Sequence, residues 1–192
     1  MCIRDRSSGP RKFSFNKDGS LQQLASVELP AGEVQYSWRE IKLPESLTPE
    51  QMKRIIPTGL AGKTTPAGIP YKNKYAATDA KGKVIKDNFS DAEAVGATPE
   101  EAHLAGQLAQ EGNSLGHCVG GYAENVLSGE SRIVSLRDQH GRSYATIELT
   151  PTQQSMRSGT DIAQIKGPGN GAPADYVQPY VQDFVKSGKW GA

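Results

Sequence analysis

The sequence predicts an α+β fold, with helices packed on a small, mainly antiparallel three-stranded sheet behind a loop-rich N-terminal segment. Three observations predict it. Two segments open on a threonine–proline helix start. Two turn-forming tetrapeptides each divide a pair of strand-like runs. Apolar residues recur at helical spacing in the last third of the chain.

In chain order, Phe13 to Glu40 is too irregular to assign beyond short strands. Thr48-Pro49-Glu50-Gln51 then sets Thr at the N-cap, Pro at N1 and Gln at N3, a capping box. Pro57 and Gly59 stop that helix early. Lys72–Thr78 and Lys83–Lys86 flank Asp79-Ala80-Lys81-Gly82, which reads as a hairpin. Thr98-Pro99-Glu100-Glu101 repeats the N-terminal device and opens a helix to about Gln110.

Val119, Tyr122, Ala123, Val126 and Leu127 fall at i, i+3, i+4, i+7 and i+8, predicting a helix with one buried stripe that Gly129 ends in a left-handed conformation. Arg132–Arg137 and Ser143–Leu149 flank Asp138-Gln139-His140-Gly141 as a second hairpin, and Ile162–Lys166 is a third strand. Pairing Arg137 with Arg142 turns Val134, Leu136, Ala145, Ile147 and Leu149 to the core. Ser135, Arg137, Tyr144, Thr146 and Glu148 then occupy the other face, which reads as solvated or ligand-facing. Pro173–Ser187 carries a last helical stripe, which Pro179 should kink or restart and Gly188 should close.

Composition excludes whole classes of function. Lys and Arg number 22 against 21 Asp and Glu, a formal charge of +1, so the chain is not basic throughout. No apolar run approaches the roughly 20 residues that span a bilayer. Gly and Pro together make about one residue in six, a loop-rich chain with a modest core. Met1-Cys2-Ile3-Arg4-Asp5-Arg6 back-translates in frame to a transposase mosaic end used in sequencing libraries, so residues 1–6 are set aside as an artefact. Met1 is then no reliable start, and the chain reads as a fragment. Three regions follow: residues 1–6, a loop-rich region 7–97 with a short helix and a hairpin, and an α+β domain 98–190.

Charge is unevenly spread. Residues 52–86 carry Lys53, Arg54, Lys63, Lys72, Lys74, Lys81, Lys83 and Lys86 against Asp79 alone. Residues 87–111 carry six acids and no Lys or Arg. The basic block could contact a nucleic-acid backbone, with Lys72, Lys74, Lys81 and Lys83 as candidates. The alternative is that the two blocks neutralise each other across the fold.

Gly59-Leu60-Ala61-Gly62-Lys63-Thr64 invites a phosphate-loop reading and fails it. Pro57 stands where the first glycine is required, and Pro66, Gly68 and Pro70 forbid the helix that must follow. Three His and one usable Cys show no zinc-ligand spacing, so no metal and no cofactor is expected. His103 reads as a surface side chain on its helix.

Gly116-His117-Cys118-Val119-Gly120-Gly121-Tyr122 is the richest stretch. A Cys in the first turn of a helix is favoured as thiolate, and flanking glycines permit close approach. Cys118 and His117 are therefore catalytic candidates for a cysteine hydrolase or deamidase. The alternative makes Cys118 a small packing residue. His140 and Gln164 complete a Cys–His–Gln set on paper only. Gly120, Gly121, Tyr122, Arg137, Glu148, Gln164, Lys166 and Asn170 are ligand-binding candidates, since strand alternation and the Gly167-Pro168-Gly169-Asn170 loop would bring their polar groups together. A bland Glu148–Lys166 pair on a solvated sheet face fits the same pattern.

From residue 98 to about 190 the chain resembles the PcfJ-like family of phages and conjugative elements. The resemblance rests on Gly116–Tyr122, Ser131–Asp138, Thr146-Ile147-Glu148, Gln164-Ile165-Lys166-Gly167, Asn170 and the Tyr180–Phe184 helix. It implies a mobile-element protein acting near DNA transfer or phage–host conflict in the bacterial cytoplasm. It supplies no reaction and no oligomeric state. The leading expectation is an accessory protein that binds a polar ligand or nucleic acid, with other mobile-element proteins as further partners. Thiol chemistry at Cys118 and a structural module of a larger protein are the alternatives.

Overall fold

Sheet formation begins with a strand that local sequence barely announces. The computed structural model describes residues 34–151 and 160–187, and the chain divides into two units. One combines the described residues up to Glu40 with those from Glu130 onward; the other runs from Ile41 to Gly129. The expected boundary at residue 97 falls inside the second unit. Residues 1–6, most of Phe13–Glu40 and Gly188 lie outside the described residues.

The first unit is a four-stranded sheet in the order β1-β5-β6-β7. Its strands are β1 (Ser37–Ile41), β5 (Arg132–Arg137), β6 (Ser143–Pro151) and β7 (Thr160–Lys166). The three expected strands are present and antiparallel, and β1 adds a fourth beside β5. Leu136 pairs with Ala145, and a bulge then sets Arg137 opposite Ser143 rather than Arg142. The register differs from the expected one by two residues along most of the hairpin. An even slip preserves the faces. Val134, Leu136, Ala145, Ile147 and Leu149 accordingly sit in one core with Tyr36, Trp38, Val177, Tyr180, Val181 and Phe184.

The opposite face is not simply solvated. Ile133, Ser135 and Thr146 are buried, so β5 and β6 are covered on both sides. Tyr144 leaves that face at the bulge and packs on the aromatic core, with its ring 5.1 Å from Tyr36 and 6.2 Å from Tyr176. The closing helix restarts as expected. A short 3-10 turn (Asp175–Val177) precedes α4 (Gln178–Ser187), which holds Pro179 in its first turn, where a missing N–H costs nothing.

The second unit opens with α1 (Pro49–Met52), whose capping box is complete. Gln51 N–H donates to Thr48 Oγ1 at 3.2 Å, and Thr48 N–H donates to Gln51 Oε1 at 2.9 Å. A three-stranded sheet follows, in the order β2 (Ile55–Pro57), β3 (Tyr75–Ala77), β4 (Val95–Gly96). The Asp79–Gly82 turn forms at the end of β3, with Gly82 at φ +79°. Its returning arm makes only isolated bridges at Val84 and Lys86.

Helix α2 (Pro99–Leu115) packs on this sheet and runs five residues past the expected end. Gly112 is tolerated inside it because a Cβ there would lie 2.7 Å from His117 O. Gly116, at φ +69°, supplies the left-handed stop. The predicted helix from Val119 is broken in two: a 3-10 turn (Cys118–Gly121), then α3 (Ala123–Leu127). Two adjacent glycines remove the helical preference that a continuous helix needs, and of the expected stripe only Val119 is buried.

Candidate functional site

Three groups of expected site residues fall in known places, two in the second unit and one in the first. Cys118 is a free, exposed cysteine at the start of the 3-10 turn. A four-residue turn aligns too few peptide dipoles to act as the long helix expected there. His117 is the N-cap of that turn and is buried. Its ring faces its own turn, with Nδ1 accepting from Val119 N–H at 3.5 Å. Neighbouring residues therefore meet opposite environments, the thiol in solvent and the imidazole inside. Gly120 is pressed on Asp87, whose Cγ would lie 3.1 Å from an added Cβ, whereas Gly121 faces open space and Tyr122 is half-buried.

In the first unit, Glu148 and Gln164 are cross-strand partners. Gln164 Nε2 donates to Glu148 Oε1 at 2.9 Å, and Ser131 Oγ donates to Glu148 Oε2 at 2.6 Å. Both carboxylate oxygens are thus held by neutral donors. Lys166 pairs across from Thr146 rather than Glu148. Arg137 Nε donates to Ser135 Oγ at 3.2 Å, and Asn170 is exposed with φ +62°. Cys118 and Gln164 belong to different units, as do Cys118 and His140.

The basic residues make the most uniform set. Lys53, Arg54, Lys63, Lys72, Lys74, Lys81, Lys83 and Lys86 are all exposed. Among them only Lys53 forms an ion pair with a described acid, at 3.1 Å to Glu50, which is not in the acidic block. Several of the acids are spent locally. Asp79 Oδ1 accepts the backbone N–H of Lys81 at 2.9 Å and of Lys83 at 3.0 Å. Those bonds hold its carboxyl below the usual range. Asp87 takes Phe89 N–H and Ser90 Oγ, Glu101 takes Ala97 N–H, and Glu111 is buried. Asp91 and Glu93 stay exposed. Mutual neutralisation of the two blocks does not occur through ion pairs among the described residues.

Backbone bonds gather the cations into two groups. Tyr71 N–H to Lys63 O and Thr58 N–H to Lys74 O draw Lys63, Lys72 and Lys74 toward one end of β3. Thr78 N–H to Arg54 O and Asp79 N–H to Lys83 O draw Arg54, Lys81 and Lys83 toward the other. Three strand residues separate the ends, about 10 Å at the usual strand rise.

A comparison with family descriptions decides what kind of chain this is. The description of PcfJ-like proteins matches residues 76–181, more than half of the sequence. The chain belongs to the PcfJ-like family. The match begins at Ala76, well before the residues that carried the resemblance in sequence, and takes in part of the small sheet, all of α2 and most of the large sheet. No curated protein and no solved structure matches. The PcfJ-like chain has no helix long and apolar enough to cross a membrane among its described residues. Nor do those residues contain a group of three His, Cys, Asp or Glu that could hold a metal. The segment after Lys63 is a turn bridged between Thr64 and Pro70, with no helix for a phosphate loop.

Sequence reasoning undervalued His103. It is half-buried, and burial pushes its pKa below the ordinary imidazole value of 6.5. The available signal was its spacing with Gln107 and Gln110, which share one face of a helix at i, i+4 and i+7.

Proposed function

We propose that this PcfJ-like chain is an accessory protein of a phage or conjugative element that binds nucleic acid, acting in DNA transfer or phage–host conflict. The observation that carries this reading is the exposed set Lys53, Arg54, Lys63, Lys72, Lys74, Lys81, Lys83 and Lys86, which among the described residues forms one ion pair, Lys53 with Glu50. A near-neutral chain that leaves most of these cations without an ion pair to a described acid, while Asp79, Asp87 and Glu101 bond to its own backbone, offers phosphate a local field. Polar groups of the first unit, Glu148 with Gln164, then Lys166 and Asn170 near the end of β7, are a second contact surface for the same partner or another mobile-element protein.

Salt dependence tests the proposal. Binding to a labelled oligonucleotide should weaken linearly on a log–log scale as salt rises, by roughly 0.7–0.9 in slope per phosphate contact. Changing Lys72, Lys74, Lys81 and Lys83 together to Gln should make that slope shallower by roughly 3–3.5 units. Affinity indifferent to salt, or a slope unchanged in the fourfold variant, would remove the reading.

A further inference from the structure

Within the second unit a cleft of about 330 Å³ opens between α1, the small sheet and α2. Its floor is apolar, built from Ile55, Ala77 and Ile85. It is also firm, because Gly106 brings α2 so near the sheet that an added Cβ would lie 2.7 Å from the Ala77 Cβ. The rim is polar. Arg54, His103, Gln107 and Gln110 all line it, with Glu50 at one side. The side chains of Arg54, His103 and both glutamines make no hydrogen bond to another described residue, so their side-chain donors and acceptors are available. Thr78 is different: its hydroxyl and its N–H both bond to Arg54 O, at 2.8 and 2.7 Å. Those two bonds fix the mouth of the cleft to the start of the turn that carries Lys81 and Lys83.

We propose that this cleft receives one unpaired nucleobase of a single-stranded nucleic acid whose phosphates are held by the neighbouring lysines. The inference rests on the nucleic-acid reading above and narrows it to single strands. A base has two apolar faces and an edge of alternating donors and acceptors, which suits an apolar floor under an amide-rich rim. Glutamine amides present both a donor and an acceptor, and Arg54 adds donors for ring nitrogens and carbonyls. His103, kept neutral near pH 7 by burial, offers one of each. The volume sits at the lower end of the roughly 300–1,000 Å³ of small-ligand clefts, room for one flat ring system and none for a duplex. The cations at the mouth complement the phosphates on either side of an inserted base.

The test compares three probes of equal length on the full chain: a base-bearing single-stranded oligodeoxynucleotide, its abasic counterpart and the duplex. The base-bearing strand should bind at least tenfold tighter than the abasic strand. Gln107→Leu with Gln110→Leu should reduce that ratio to less than about threefold while leaving the salt slope unchanged. Lys81→Gln with Lys83→Gln should do the reverse, lowering the slope and keeping the ratio. Equal binding of abasic and base-bearing strands by the unaltered protein overturns the cleft assignment even if the glutamine variant fails to fold, and leaves the phosphate reading intact. Salt-independent binding, or none, to all three probes overturns both.

Discussion

Single residues set a close backbone contact and a clear pH response in this molecule. Gly112 lies inside α2 where a methyl group would meet backbone on two sides, His117 O at 2.7 Å and Gly120 N at 3.0 Å. Backbone cannot swing aside as a long side chain can, so Gly112→Ala should destabilise by about 1–3 kcal/mol, despite alanine's better helix propensity. Urea unfolding checks this; a stabilised variant would show that the loop at His117 is free to move. Tyr144 gives the pH response. Burial, then the bond from its hydroxyl to Asp138 Oδ2 at 2.9 Å, pushes its pKa up to about 12. The folded chain keeps this proton between about pH 10 and 12 while the unfolded chain has lost it. The resulting stability is complete below pH 10 and falls as pH rises to about 12. Tyr144→Phe should therefore start lower at neutral pH, by about 1 kcal/mol for the lost hydrogen bond, and show a shallower alkaline decline in thermal midpoint. Parallel declines in the two proteins would sink the assignment.

Among the elements, α4 and the hairpin it covers were the most legible from sequence. Val177, Tyr180, Val181 and Phe184 repeat at helical spacing, and all four are buried. Phe184 is fully buried, with its ring 4.8 Å from that of Trp38. Phe184→Ala should cost about 3–5 kcal/mol, readable as a lower urea midpoint with an unchanged slope. The hairpin's faces were legible because side chains alternate, and its register was not, because a bulge between Leu136 and Arg137 leaves no mark in composition. Reading Ser135 and Thr146 as solvated failed for another reason. Small hydroxyl side chains are buried cheaply when they find partners, and Ser135 accepts from Arg137 and bonds to Ser143. Strand β1 was legible only as one of several unplaced short strands, since what fixes it is a neighbour about ninety residues away. The cleft likewise depends on packing. His103, Gln107 and Gln110 share a helix face in sequence, yet only the packing of α2 on the small sheet gives that face a floor.

At the scale of the whole molecule, charge and connectivity tell different stories. The balanced total of 22 basic and 21 acidic residues conceals a local division of labour, with Asp79, Asp87 and Glu101 bonded to the backbone of turns and a cap and the lysines between residues 53 and 86 left to solvent. A count cannot reveal that, because it depends on which carboxylates find backbone donors. Connectivity is the stronger constraint. The second unit is inserted, whole, between β1 and the rest of the sheet to which β1 belongs. Arg132 Nε meets Glu40 Oε1 at 2.7 Å, so the chain leaves the first unit and returns to it at one spot. This geometry imposes an order on synthesis. A ribosome releases β1 early, but its hydrogen-bonding edge has no partner until β5 emerges, after the entire inserted unit. The inserted unit, contiguous in sequence, is free to close first, at low loop-closure cost. Its closure then brings the two ends of the interrupted sheet toward each other, making the insert the clasp that lets the sheet be completed.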